Sequence, residues 1–83
     1  MLLKLMKYKY NSMNALIFKT NIDSEKDFIE VKKSLIKNRN IEECTIDLDD
    51  VDKVLRILSD SLTVKEIEKE ILAMGFYCKE LED

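Results

Sequence analysis

Histidine is absent from the 83 residues, as is proline, and there is one glycine and there are two cysteines. Each shortage removes a class of explanation. Without histidine the chain lacks the commonest general base and the commonest metal ligand. Without proline and with a single glycine, neither a flexible linker nor a low-complexity tract fits. Cys44 and Cys78 stand far apart with no cysteine neighbour, so they form neither a disulfide framework nor a zinc-type cluster. No apolar run approaches the ~18 residues a membrane span needs. The net charge of −3 leaves no basic footprint for nucleic acid. With no signal peptide visible, the cytoplasm is the expected compartment.

What is present is enough for one small domain. Residues 1–12 differ from the rest: they carry Lys4, Lys7 and Lys9 and no acid, while the other 71 residues hold 11 basic and 17 acidic side chains. They read as a disordered N-terminal extension, such as upstream sequence ahead of a start at Met13, rather than as a basic amphipathic arm on a membrane surface. Residues 13–83 read as the domain.

Ala15 to Thr20 is a strand by composition, with Leu16, Phe18 and Thr20 on one face and Ile17 and Lys19 on the other. A helix opens at Ser24, whose hydroxyl suits an N-cap, and Ser24-x-x-Asp27 has the spacing of a capping box. Phe28, Val31 and Leu35 share one face of that helix, which should end near Lys37 with Asn38 or Asn40 as the stop. Ile41 to Leu48 alternates as a strand, with Cys44, Ile46 and Leu48 on one side and Glu43, Thr45 and Asp47 on the other. Asp49 to Asp52 has turn composition, and Lys53 to Ser59 is the returning strand. Thr63-Val64-Lys65-Glu66 is a second capping box, with Leu62 placed to staple against Ile67. Val64, Ile67, Ile71 and Met74 repeat at helical spacing up to Gly75, and Phe76 to Leu81 is the expected last strand. The order is βαββαβ. Right-handed crossovers then place both helices on one face of a four-stranded antiparallel sheet, an α+β ferredoxin-like sandwich with strand order 4-1-3-2.

The stretch Val51 to Phe76, above all Leu62-Thr-Val-Lys-Glu-Ile67 and Met74-Gly-Phe76, resembles the heavy-metal-associated domain family of copper chaperone-like modules. Phe18-Lys-Thr-Asn-Ile22, then Phe28, Val31 and Leu35, then Asn40-Ile41 extend the likeness to roughly residues 14–82. The resemblance implies a metal site at the first loop–helix junction, where the family carries Met-x-Cys-x-x-Cys. Here Ile22 stands at the methionine position, Ser24 and Asp27 at the two cysteines, and Phe76 where the family has a lysine or aromatic beside the metal. Cu(I) selects soft thiolates, whereas a hydroxyl and a carboxylate are hard ligands. The expectation is therefore that no metal or other cofactor is bound, Ser24 and Asp27 serving as helix caps, with Cu(I) or another soft metal as the alternative.

The remaining soft ligands of interest, Cys44 and Cys78, fall on apolar strand faces and read as core filling. Asp47, Asp49, Asp50 and Asp52 lack the glycine, the spacing and the terminal glutamate of a calcium loop. No nucleophile–base pair or phosphate-binding glycine loop is present, so no catalysis is expected. Two functions stay open: a non-catalytic module with a degenerate metal site that works through a protein partner or self-association, and a metal-trafficking protein using other or intersubunit ligands. A small-molecule regulatory domain of the same topology is a more distant reading.

Overall fold

A computed structural model describes residues 14–37 and 41–81 of the chain. The expected N-terminal extension, the stop at Asn38 or Asn40 and the last two residues of the domain lie outside them. Four strands and two helices follow one another as β1 (Asn14–Thr20), α1 (Glu25–Lys37), β2 (Ile41–Asp47), β3 (Val54–Ser59), α2 (Val64–Ala73) and β4 (Cys78–Glu80). The sheet runs β2-β3-β1-β4, all neighbours antiparallel, which is the order expected from two right-handed crossovers.

Alternation decides which side of the sheet is covered. Phe18 and Thr20 of β1, Leu55, Ile57 and Ser59 of β3, Cys44 of β2 and Cys78 of β4 are buried. From the helices Val31 and Leu35 of α1 and Ile67 and Ile71 of α2 join the same apolar cluster. Leu16, Phe28, Ile41, Ile46, Leu62, Val64, Met74 and Phe76 pack around its rim. β2 departs from strict alternation: Ile41 pairs with Ser59 but Glu43 with Leu58, so one extra residue is inserted. This bulge turns Ile41 to the core side while Glu43 stays on the open side.

The second helix begins and ends as its residues dictate. Thr63 sits in extended backbone, φ −105° and ψ 162°; the Glu66 N–H donates to its Oγ1 and its own N–H donates to Glu66 Oε1 at 2.8 Å. At the other end Gly75 takes φ 95°, its N–H donates to the Leu72 carbonyl at 2.9 Å, and the Phe76 N–H donates to the Ile71 carbonyl at 3.2 Å. That pair of bonds is a Schellman stop, which favours glycine at the left-handed position. Thr63→Ala should therefore cost ~1 kcal/mol through loss of the cap. A denaturation midpoint equal to that of the wild type would contradict this helix start.

β4 is shorter than its composition suggests. Phe76 and Tyr77 were expected to open it, but the strand begins at Cys78. The Phe76 N–H is taken by the helix stop, and the Tyr77 N–H donates to Asn21 Oδ1 at 2.8 Å, so neither is available to the ladder. β2 likewise ends at Asp47 and β3 starts at Val54, leaving Leu48 to Lys53 for the turn.

Candidate functional site

The β1–α1 junction forms because buried Thr20 ties the loop to the β2–β3 turn. Its N–H donates to the Asp52 carbonyl at 3.0 Å, and its hydroxyl donates to the Lys53 carbonyl at 2.7 Å while accepting the Ile22 N–H at 3.1 Å. Ile22 is thereby drawn fully into the core. The turn that Thr20 grips is itself well braced. Asp47 Oδ1 accepts the Asp49 N–H, Asp50 Oδ1 accepts the Asp52 N–H, and Lys53, at φ 43°, donates its ammonium to the Leu48 carbonyl at 2.8 Å. Asn21, by accepting the Tyr77 N–H, fastens the α2–β4 connection and so Phe76 to the same end of the molecule. Periodicity gives no sign of Thr20, Asn21 or Lys53 in these roles, because their partners lie 33 to 56 residues away in the first two cases.

Ser24 caps α1. Its Oγ accepts the Asp27 N–H at 3.1 Å, and its carbonyl accepts the Phe28 N–H at 3.0 Å. The reciprocal bond from the Ser24 N–H to the Asp27 carboxylate is absent among the described residues, so only half of the expected box forms. Aspartate is one methylene shorter than the glutamate that completes the box at Thr63 and Glu66. Glu25 and Asp27 place two carboxylates in the first turn, where they complement the helix dipole.

At the two positions aligned with the family's cysteines, this junction holds one hydroxyl already engaged in a cap bond and one carboxylate. It does not fit a soft cation such as Cu(I). Among the described residues there is no group of three or more His, Cys, Asp or Glu side chains able to hold a metal ion.

The cysteines are elsewhere. Cys44 lies on β2 opposite Ile57, and Cys78 lies on β4 opposite Thr20. Both are free and buried, 3% and 5% exposed. β2 and β4 are the two edges of the sheet, so three strand spacings, roughly 14 Å, separate their lines. That exceeds the reach of a disulfide. Burial pushes the Cys44 thiol up to about 11, against a small opposing pull from Lys32. The Cys78 thiol is pushed up to about 12 by burial and then by nearby Glu68.

These shifts have a sign. Above the ordinary thiol value of 9.0 the unfolded chain ionises while the native thiols stay protonated. Their contribution to stability is complete below pH ~9 and is lost as pH rises through about 11 to about 12. Urea midpoints should fall more steeply between pH 9 and 11 for the wild type than for Cys44→Ala/Cys78→Ala. Parallel slopes would mean that the thiols are not buried as described.

No family model matches the chain, and no curated protein matches it. Solved structures do. A yeast copper transporter domain, Ccc2A, determined in apo and Cu(I)-loaded states, superposes with TM-score 0.71 at 21% identity, covering 83% of this chain and 96% of that one. Oxidised MerP from Ralstonia metallidurans CH34 gives TM-score 0.71 at 12% identity, over 84% of this chain and 99% of that one. The CsoZ metallochaperone gives 0.68 at 17%, again over 84% and 99%. The fold is heavy-metal-associated-like. Within it the βαββαβ order, the single antiparallel sheet and the helix pair are shared features of the architecture. Among the described residues no helix is long and apolar enough to cross a membrane.

Proposed function

We propose that this chain is a non-catalytic module of heavy-metal-associated-like fold whose metal junction carries structural caps in place of ligands, and that it acts through protein contacts in the cytoplasm. The observation that carries this reading is the hydrogen bond from the Asp27 N–H to Ser24 Oγ. At the two positions where the family resemblance puts thiolates, the side chains present are hard donors, and one of them holds the helix end. The lack of histidine and of any nucleophile–base pair supports a role without catalysis. Two free, buried thiols suit a reducing compartment.

A second reading is metal trafficking through other or intersubunit ligands. It is favoured by the likeness to proteins described as a copper transporter domain and a metallochaperone. The two readings separate in competition against a colorimetric Cu(I) chelator under reducing conditions. The first expects the wild-type protein to leave the chelator complex intact, and the second expects it to withdraw the metal.

A further inference from the structure

We infer that the open face of the sheet is a self-complementary dimer interface whose occupant is a second copy of this chain. The inference rests on the protein-contact reading above and names its partner. The face away from the helices carries Glu43, Thr45 and Asp47 from β2, Val54, Arg56 and Leu58 from β3, Ala15, Ile17 and Lys19 from β1, and Lys79 from β4. This follows because each is one step out of phase with a core residue of its strand. Charge is sorted across it. The β2 edge is acidic, the two middle strands present half-buried Ala15, Ile17, Val54 and Leu58 with Arg56 and, at one end of β1, Lys19, and the β4 edge carries Lys79.

Lys19 and Lys79 are directly opposite each other in the β1–β4 register. Like charges at facing positions destabilise a strand pair. Within the chain Lys19 has Asp52 at 3.5 Å, an ion pair with half of the lysine exposed. A second copy supplies Lys79 with an opposite charge while Lys19 keeps its own Asp52. Continuing the register one step past Phe18 and Leu55 sets Lys19 beside Val54, whose other neighbour is Asp47, so Asp47, Val54, Lys19 and Lys79 form one row across the sheet.

A two-fold axis parallel to the strands, midway between two stacked sheets, exchanges left and right but leaves the row in place. It lays Asp47 of one copy over Lys79 of the other and Val54 over Lys19, each twice by symmetry. In the next rows it lays Arg56 over Ile17, and Leu58 over Ala15. Such an isologous contact closes at two copies and does not propagate. The 23 residues of the four strands, each covering ~4.8 Å by ~3.4 Å, give a footprint of about 375 Å² per copy, below the size of a standard interface and in the range of weak, transient contacts. The dimer should accordingly be weak and visible only at high protein concentration.

The test is sedimentation equilibrium of the full chain from about 20 µM to 1 mM, a range chosen for the low end of interface sizes. The expected result is a monomer–dimer equilibrium that weakens with added salt. Asp47→Lys and Lys79→Asp should each weaken their own homodimer by about tenfold or more, because both edge pairs become like-charged. Mixed together, the two variants regain both opposite-charge pairs and should form a one-to-one heterodimer. Circular dichroism confirms that each variant is folded. A full chain that stays monomeric at 1 mM, or a dimer indifferent to both substitutions and to their mixing, overturns the proposal. Neither result touches the chelator competition, which reads the metal junction separately.

Discussion

Challenged with a Cu(I)–chelator complex under reducing conditions, the wild-type protein is expected to leave the metal where it is, and Ser24→Cys/Asp27→Cys is expected to withdraw about one equivalent. On the proposed reading the junction lacks only the ligands. The loop is anchored by Thr20, Ile22 is seated in the core, and the α2–β4 connection is held close by Asn21. Ser24 and Asp27 lie at i and i+3 across a loop–helix junction whose backbone is held by the Asp27 N–H bond to Ser24 Oγ, and side chains at that spacing share a face, so two sulfurs there can converge on one ion. A helix N-terminus favours the thiolate, while Asp23 and Glu25 nearby oppose it, so the variant should compete better as pH rises toward 8.

The substitution removes the cap, at a cost of about 1 kcal/mol. Metal present at about a thousand times its dissociation constant stabilises by about 4 kcal/mol, so the loaded variant should melt above the wild type although the apo variant melts below it. Withdrawal of copper by the wild type would end the structural-cap reading and send attention to Cys44, Cys78 or ligands shared between copies. Failure of the folded double variant would show that Ser24 and Asp27 do not occupy the ligand positions.

How far the residues announced this architecture depends on the range of the interactions involved. Elements whose signals are local were legible. The Thr63-x-x-Glu66 box and Gly75 bound α2 as expected, and alternation groups Phe18 with Thr20 and puts Cys44 on an apolar face, both of which are covered in the structure. The turn into α1, where the candidate site is proposed, was legible as a local junction but not as a construction. Its shape depends on Thr20 reaching Lys53 and Asn21 reaching Tyr77, and tertiary bonds of that kind leave no period in the sequence. β4 is shorter than its composition implies for the same reason, since two of its expected N–H groups are claimed from outside the sheet. The bulge at Ile41 was hidden too: strict alternation would leave Ile41 with Glu43, and burial of the isoleucine decides otherwise. At α1 the box motif promised two bonds, and the shorter aspartate side chain delivers one.

Phe18→Ala is expected to cost 3–5 kcal/mol, the range for emptying a buried aromatic site. Phe18 is 0% exposed, sits on the inner strand β1 between β3 and β4, and belongs to the cluster that both helices cover. A domain of this size has a net stability of only about 4–12 kcal/mol, so the loss is a large fraction of the whole. Val51→Ala provides the contrast, since Val51 is 89% exposed at the tip of the turn and its truncation should change stability by less than about 0.5 kcal/mol. Urea denaturation followed by far-ultraviolet circular dichroism measures both. A loss below about 1 kcal/mol for Phe18→Ala would be incompatible with a fully buried ring, because even one buried methylene is worth about 0.8 kcal/mol. Strand β1 also delivers Thr20 to its clamp, so the damage should reach the candidate site. In the folded fraction of Phe18→Ala, the Ile22 amide, which donates to Thr20 Oγ1 at 3.1 Å, should exchange with solvent faster than in the wild type. The Glu66 amide, held by a cap on the far helix, should be slowed or hastened only by the change in global stability.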